Sequence, residues 1–469
     1  MQYPFGPWRP DDKSTNAGLS TTAEGVIRQP GGWGPYSQLV TATGAEALSD
    51  TPRGVKSVQK PDNSWAVYAA TGTTIEELQG DLTWDDIDTG RTVTTGDDVS
   101  MVLFGKYLIN TDTTSGMKAY DTISGGSNTA ISGAPSARAV CIIGNALFGL
   151  GTSSETRRFA STAIGVYSQW TGGAADGGTF PDGGALVGGL ELRDRIGVLF
   201  QSGALRLVQF GAGASTYAIN KLSDGVGCVA ERTICGFDGR AFWWHEDGPW
   251  MLVAGSAPIP IGIDKVNTWA KDNIGRQNFL NLQGTVDPLR TIAMWRIDES
   301  RIIAFNWNTG EWSILPATTT ALARIATPAL SVDSLTGTVD ALSGSVDSLG
   351  GSTAPQIGGL NLSRKFSTFI GSNMAATVEG APIESPVTGL IGRATPIDDA
   401  NAGTLQLGVA DRLDSALTWK AGEAKGNSGT VPLRGRGKVI AFRRNVPAGT
   451  TYTNINGVDH IQAAQGGWR

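Results

Sequence analysis

Apolar and polar positions alternate in a repeating pattern through the middle of the chain. Six segments each contain an apolar half-run, a polar turn with Gly, Asp, Asn or Ser, and a second apolar half-run; they begin at Trp65, Tyr107, Asn145, Arg195, Arg240 and Arg301. This pattern is typical of two antiparallel strands joined by a tight turn. The segments start 42, 38, 50, 45 and 61 residues apart, close to the length of one four-stranded blade. The sequence therefore predicts an all-β fold, a β-propeller of about six blades.

The rest of the chain divides by composition into three further parts. Residues 1–50 have no sustained period and are predicted to form an extended N-terminal arm. The propeller is predicted over 51–325, and a finger or linker over 326–365, where a seven-residue motif recurs at Val332, Val339 and Val346. One Gly in each repeat argues against a stable coiled coil there. Residues 366–469 contain strand-like segments such as GKVIAFRR and are predicted to form a smaller C-terminal β-rich domain.

Aromatic rings in the arm and leucines in the finger are the predicted contact residues. An arm with rings spaced among Pro and Gly is expected to lie extended on another surface and to anchor through those rings. An outer strand from the arm is a second possible role, because such a strand helps to close a propeller ring. The candidate inter-subunit anchors are Phe5, Trp8, Trp33, Tyr36, Leu335, Leu342 and Leu349.

The charge is unevenly distributed along the chain. A net charge of −6 gives no global reason to expect a nucleic-acid-binding protein. From Lys420 to the end of the sequence, however, there are eight basic residues and two acidic ones. This segment is interpreted as a solvated basic face or as a surface that docks against an acidic partner.

The sequence predicts no enzyme, and no catalytic, cofactor or metal site. It contains two histidines, His245 and His460, and neither lies near a GxSxG elbow. The three cysteines form no CxxC pair, and no GxxxxGK[ST] motif is present. The apolar run from Trp250 is too short and too rich in proline to cross a bilayer. The N-terminal MQYPFGPWRP does not resemble a signal peptide, so we expect synthesis and solubility in a cytoplasm.

Several short motifs, in the same order along the chain, resemble tail hub proteins of short-tailed bacteriophages. They are FGPWRPD, GTTIEELQGDLTWDDID, ELRDRIGVLFQSGALRLVQF, GVGCVAERTICGFDGRAFWWHEDGPWMLV, the VDSL repeats and the closing GRGKVIAFRR to GGWR. In that family the protein is also called the nozzle or packaged-DNA stabilisation protein. The resemblance covers most of the chain.

The resemblance implies a structural virion protein of the podovirus tail, assembled in the cytoplasm of the host bacterium. Such a protein forms a ring, here expected to be a homohexamer, below the portal and adaptor. Its expected partners are the portal-adaptor ring, tail fibres or tailspikes, and a tail needle or plug. DNA is expected to pass through its channel during ejection without specific binding, and no integral membrane segment is expected.

A carbohydrate-binding or glycan-cleaving propeller is the alternative function. It rests on the turn from Asn308 to Trp312 and on Trp84, which are similar to the Asp-box and kelch-like turns of sialidase and oxidase propellers. The same turns stabilise blades in propellers that bind no glycan. A sialidase also needs an arginine cluster for the substrate carboxylate, and Arg157 and Arg158 are adjacent, so their side chains would diverge on a strand.

Overall fold

The computed structural model describes residues 2–12, 18–211, 217–326 and 355–465. Leu335, Leu342 and Leu349 lie outside these ranges, so the predicted finger contacts are not part of the described structure. The N-terminal strands are β1 (Tyr3–Pro4), β2 (Ser20–Glu24), β3 (Val26–Gln29), β4 (Gly32–Pro35) and β5 (Val40–Thr41).

Four antiparallel four-stranded sheets follow in chain order. The first contains β6 (Gly54–Gln59), β7 (Trp65–Ala70), β8 (Thr74–Leu78) and β9 (Trp84–Thr89), and the second β10 (Ser100–Phe104), β11 (Tyr107–Thr111), β12 (Lys118–Asp121) and β13 (Thr129–Ala130). The third contains β14 (Ala137–Ile143), β15 (Ala146–Thr152), β16 (Arg158–Ser161) and β17 (Asp176–Thr179). The fourth contains β18 (Leu186–Arg193), β19 (Ile196–Gln201), β20 (Ala204–Phe210) and β21 (Tyr217–Asp224).

Three more groups of strands complete the ring. A 3₁₀ turn at Glu231–Thr233 leads into β22 (Cys235–Phe237), β23 (Arg240–His245), β24 (Gly248–Val253) and β25 (Ile259–Pro260). Helix α1 (Asn267–Asn273) and a 3₁₀ turn at Arg276–Asn281 precede β26 (Gln283–Asp287), β27 (Ile292–Arg296), β28 (Arg301–Asn306) and β29 (Glu311–Pro316). The last group contains β30 (Ala321–Ile325), β31 (Gln356–Leu360), β32 (Phe366–Thr368) and the N-terminal β5.

These groups form a β-propeller, as the sequence predicted. The innermost strands β6, β10, β14, β18, β22, β26 and β30 lie beside one another in that order, and β30 returns to β6. Six of the groups are separate four-stranded sheets in the described chain, whereas β26–β29 belong to a larger sheet. The all-β propeller is therefore confirmed, with six self-contained blades and a further sector shared with the C-terminal strands.

The N-terminal segment closes the ring. Strand β5 pairs with β32 through Thr41 opposite Ser367 and Val40 opposite Thr368. In this sheet β30 ends at residue 325, the predicted end of the propeller, and β31 and β32 lie after it. The fourth strand, β5, comes from residues 1–50, which were predicted to form an arm.

The C-terminal strands form a second sheet region continuous with β26–β29. They are β33 (Ala376–Gly380), β34 (Ile383–Asp398), β35 (Thr404–Ala410), β36 (Thr418–Trp419), β37 (Glu423–Ala424), β38 (Val431–Val446) and β39 (Ile455–Gln465). Strand β29 pairs with β2 in parallel, and β2 pairs with β33, so hydrogen bonding runs from the propeller into the C-terminal strands. One hydrophobic core contains Trp295 of the propeller, Trp33 of the N-terminal segment and Phe442 of the C-terminal region. The two regions therefore share both backbone hydrogen bonds and core packing.

Candidate functional site

The propeller axis contains a channel of about 680 Å³ lined by all seven innermost strands. Its size is in the range of small-molecule pockets. The cationic side chains on its wall are Arg53, Lys56, Arg232, Arg296 and Arg324, and the carboxyl groups are those of Asp98, Glu191 and Glu231. The channel is therefore polar and predominantly cationic.

One ion pair stands at the end of the channel where the inner strands begin. The Arg232 Nε donates a 2.7 Å hydrogen bond to Asp98 Oδ2, and an Nη of Arg232 contacts Oδ1 of the same carboxylate. This two-bond geometry is the strongest form of an arginine–carboxylate contact. Burial raises the pKa of Asp98, and the guanidinium of Arg232 opposes that shift.

Glu231 lies beside this pair and tends to hold a proton. Its Oε1 is 2.5 Å from Ser100 Oγ, which also accepts a 3.0 Å hydrogen bond from the Val140 backbone N–H. Burial raises the pKa of Glu231 to about 8, although the bond to Ser100 opposes the shift and the charge of Asp98 adds to it. At neutral pH the Glu231 carboxyl group is therefore mainly neutral.

Several cations of the channel form no salt bridge with a described residue. Loss of hydration lowers the pKa of Lys56, Arg296 and Arg324. Protein surrounds Lys56 on all sides, but its side chain lines the channel and is exposed to the water inside it. The Nε atoms of Arg53, Arg296 and Arg324 are buried and make no hydrogen bond to any described residue. An unmade bond of this kind costs about 1–3 kcal/mol.

The four predicted aromatic anchors lie inside this chain. Phe5, Trp8, Trp33 and Tyr36 expose between 0% and 4% of their surface. The Trp33 Nε1 donates to the Gly6 carbonyl at 3.2 Å, and Trp8 packs edge-on against Trp269 with ring centroids 5.2 Å apart.

The expectation that these rings contact a neighbouring subunit is corrected by their burial. Short strands and isolated bridges bring the N-terminal segment against distant parts of its own chain, as when Trp8 pairs with Trp312. The rings therefore fill the core of the subunit that carries them, and little of their surface remains for another subunit.

An exposed basic row lies on strand β38. Arg434, Arg436 and Lys438 are exposed, whereas Leu433, Gly435, Gly437 and Val439 between and beside them are buried. Because side chains alternate along a strand, the three cations share one face at intervals of about 7 Å. Arg393 of β34 is also exposed and lies opposite Pro432, which is on the same face. In the described chain none of these four cations, here called the basic row, has an ion-pair partner.

The residues behind the glycan alternative have structural contacts. Trp312 is fully buried, and its Nε1 donates to the Ile261 carbonyl at 3.1 Å. Asn306 Oδ1 accepts hydrogen bonds from the backbone N–H groups of Asn308 and Thr309, which closes the turn. Arg157 pairs with Glu155 on the surface. These contacts stabilise a blade, and Arg157 contacts no second arginine in them.

The described residues contain no group of three or more His, Cys, Asp or Glu side chains placed to hold a metal ion. Among the same residues, no helix has the length and apolar character needed to cross a membrane.

No protein-family model and no curated protein matches this chain. Among solved structures, the WD40 repeats of RRP9 are 11% identical with a TM-score of 0.40, over 62% of this chain and 88% of that one. A streptogramin B lyase is 11% identical with a TM-score of 0.44, over 71% and 97% of the two chains. A quinoprotein alcohol dehydrogenase-like protein from Bacteroides thetaiotaomicron is 8% identical with a TM-score of 0.41, over 58% and 68%. These proteins differ in function, and their similarity to this chain assigns it none.

Proposed function

We propose that this chain is a structural subunit of a tail hub, or nozzle, of a short-tailed bacteriophage. In this proposal six copies form a ring that continues the DNA channel below the portal-adaptor ring. The ring supports fibres or spikes and receives the tail needle or plug. The chain acts as scaffold and conduit, and not as an enzyme.

The observation that carries the proposal, together with the resemblance of the sequence motifs, is the continuous sheet that joins the propeller to the C-terminal strands. A hub transmits load between the capsid side and the fibres, so its subunit needs to be stiff. The sheet passes from β29 through β2 to β33, and the core on either side is shared. Strands β34 and β38 have 16 residues each, and a strand of that length spans about 50 Å.

The charges are compatible with these duties. The chain is acidic overall, which disfavours adhesion of passing DNA phosphates. The basic row on the C-terminal strands instead offers a localised surface for an acidic neighbour. Electrostatic complementarity of this kind sets orientation and association rate at protein interfaces.

Electron cryo-microscopy of the particle that contains this chain tests the proposal directly. The expected density is a ring of six copies around an open channel, stacked below other rings, with the long C-terminal strands at an interface. A particle in which the chain occurs as a separate single copy, away from any channel, would contradict the proposed function.

A further inference from the structure

We propose that the propeller channel of each subunit binds a small oxyanion, a carboxylate or phosphate compound, at the end where the inner strands begin. This inference goes beyond the hub function, because the channel lies within one subunit and is separate from any passage formed by a ring of subunits.

Five cations and two carboxyl groups converge at this end of the channel. Arg53 precedes β6, Asp98 precedes β10, Arg138 is the second residue of β14, Glu231 and Arg232 precede β22, and Arg296 is paired with the first residue of β26. Lys56 lies on β6 and interacts electrostatically with Glu231.

The electrostatic interactions of these groups indicate that they lie near one another. Asp98 interacts with Arg232, Arg138 and Arg53, and Glu231 interacts with Asp98, Arg138 and Lys56. Arg296 interacts with Arg232 and also with the carboxylates of Glu299 and Asp298 outside the cluster. We call these seven residues the entrance cluster.

The entrance cluster has more positive charge than its own carboxyl groups can neutralise. Asp98 is already engaged by Arg232 through two hydrogen bonds. Glu231 is hydrogen-bonded to Ser100 and mainly neutral at pH 7, so it supplies little negative charge. Arg53, Lys56, Arg138 and Arg296 have no ion pair with a described residue. At least three positive charges therefore remain available to an anion.

The hydrogen-bond donors of the cluster indicate what kind of anion fits. The Nε atoms of Arg53 and Arg296 are buried and have no acceptor among the described residues. A planar guanidinium donates parallel bonds that match the oxygens of a carboxylate or a phosphate. A ligand with two or more oxyanion groups is expected to bond the guanidinium groups of Arg53 and Arg296, which both line the channel, and the channel volume of about 680 Å³ admits a molecule of that size.

The neutral form of Glu231 favours this ligand. The charged and polar groups facing Glu231 are Lys56 on β6, Asp98 and Ser100 at β10, Arg138 on β14, and the thiols of Cys141 and Cys228. Because its pKa is raised to about 8, ionisation above that pH places a new negative charge beside the ligand. Binding is therefore expected to weaken as the pH rises from 7 to 9.

Isothermal titration calorimetry on the purified full chain tests the inference, with pyrophosphate and citrate as separate probes at constant ionic strength. We expect saturable binding of at least one probe at pH 7. Arg53→Met and Arg296→Met should each weaken it by tenfold or more, whereas Arg158→Met, which removes an exposed arginine outside the channel, should leave it unchanged. Binding of pyrophosphate alone would assign a phosphate ligand, and binding of citrate alone a carboxylate ligand.

A second variant keeps the inference open to refutation if the arginine variants fold poorly. Between pH 7 and pH 9 the wild-type chain should lose more affinity for the same probe than Glu231→Gln does; comparing the two chains removes the titration of the probe and of Lys56, whose pKa is lowered by burial. Absence of saturable binding for both probes would overturn the inference. So would equal affinities in Arg53→Met, Arg296→Met and Arg158→Met. Since the assay uses isolated subunits, its failure leaves the hub proposal untouched, and failure of ring formation leaves the binding result untouched.

Discussion

Arg91 and Arg296 are both withdrawn from bulk water in the propeller, but only one of them is compensated. Arg91 has no exposed side-chain surface and bonds Asp88, Asp112 and Asn110. Arg296 has a pKa lowered by burial and an Nε with no acceptor in the described chain. A buried arginine whose bonds are all used within the chain contributes to the fold. One whose bonds are left open is available to a ligand, at a cost in stability.

Substitution of these two arginines gives the largest expected contrast. Arg91→Met should destabilise the protein by about 3–5 kcal/mol, because it leaves the Asp112 carboxylate buried without its partner. Arg296→Met should cost less than about 1 kcal/mol, since it removes a cation that forms no salt bridge with a described residue and whose Nε has no acceptor among them. Urea unfolding at pH 7 measures both. If Arg296→Met were as costly as Arg91→Met, Arg296 would have a structural partner and the distinction would fail.

Like Arg91, the aromatic rings of the N-terminal segment are buried and stabilise the fold. Trp33→Ala should cost about 3–5 kcal/mol in the isolated chain, because it removes a fully buried ring from the shared core. Trp419→Ala is a suitable control, since that ring is only half-buried. Thermal and urea unfolding of the isolated chain measure the effect. A Trp33→Ala chain with unchanged stability that failed only in assembly would restore the inter-subunit role that the sequence suggested.

The raised pKa of Glu231 makes the stability of the folded chain depend on pH, and this dependence can be measured. The folded-state pKa of Glu231, about 8, is above the ordinary value of 4.5, so the folded chain holds a proton that the unfolded chain releases between these two pH values. Stability from this group is therefore complete below about pH 4.5 and decreases as the pH rises through 8. Over that window we expect wild type to lose on the order of 5 kcal/mol more than Glu231→Gln. Parallel pH profiles of the two chains in urea unfolding would contradict this.

The sequence predicted hairpins, whose residues are close along the chain, better than contacts that form only when distant blades close into a ring. Each blade hairpin is a local alternation, so the segment from Arg240 onward was interpretable as the hairpin of β23 and β24. The pairing of Val40–Thr41 with Phe366–Thr368 joins residues more than 300 positions apart, and no local pattern specifies it. The sequence identified the aromatic residues of the N-terminal segment, but it did not show which surface they pack against.

The two cationic sites show the same limit. The alternation in PLRGRGKV is sufficient to place Arg434, Arg436 and Lys438 on one strand face, and this signal was present in the basic C-terminal segment. The entrance cluster draws Arg53, Arg138 and Arg296 from different blades. It becomes visible only when the ring closes, because no two of these arginines are close in sequence.

Substitutions in the basic row test whether its exposed cations bind a protein partner, in contrast to the channel cations, which are proposed to bind a small anion. The triple reversal Arg434→Glu, Arg436→Glu and Lys438→Glu should change the unfolding free energy by less than about 0.5 kcal/mol, because all three side chains are exposed and unpaired in the described chain. It should also leave oxyanion binding in the channel unchanged.

Incorporation of the triple variant into tail particles should nevertheless fall at least tenfold, since the reversed charges repel an acidic neighbour. The particles are reconstituted with the other tail proteins, and incorporation is measured by sedimentation. The matched control, Arg158→Glu, Arg412→Glu and Lys420→Glu, reverses the same number of exposed charges elsewhere. Equal incorporation of the two triple variants would show that the basic row is only a solvated face, whereas a loss confined to the first would assign this face of β38 to the assembly.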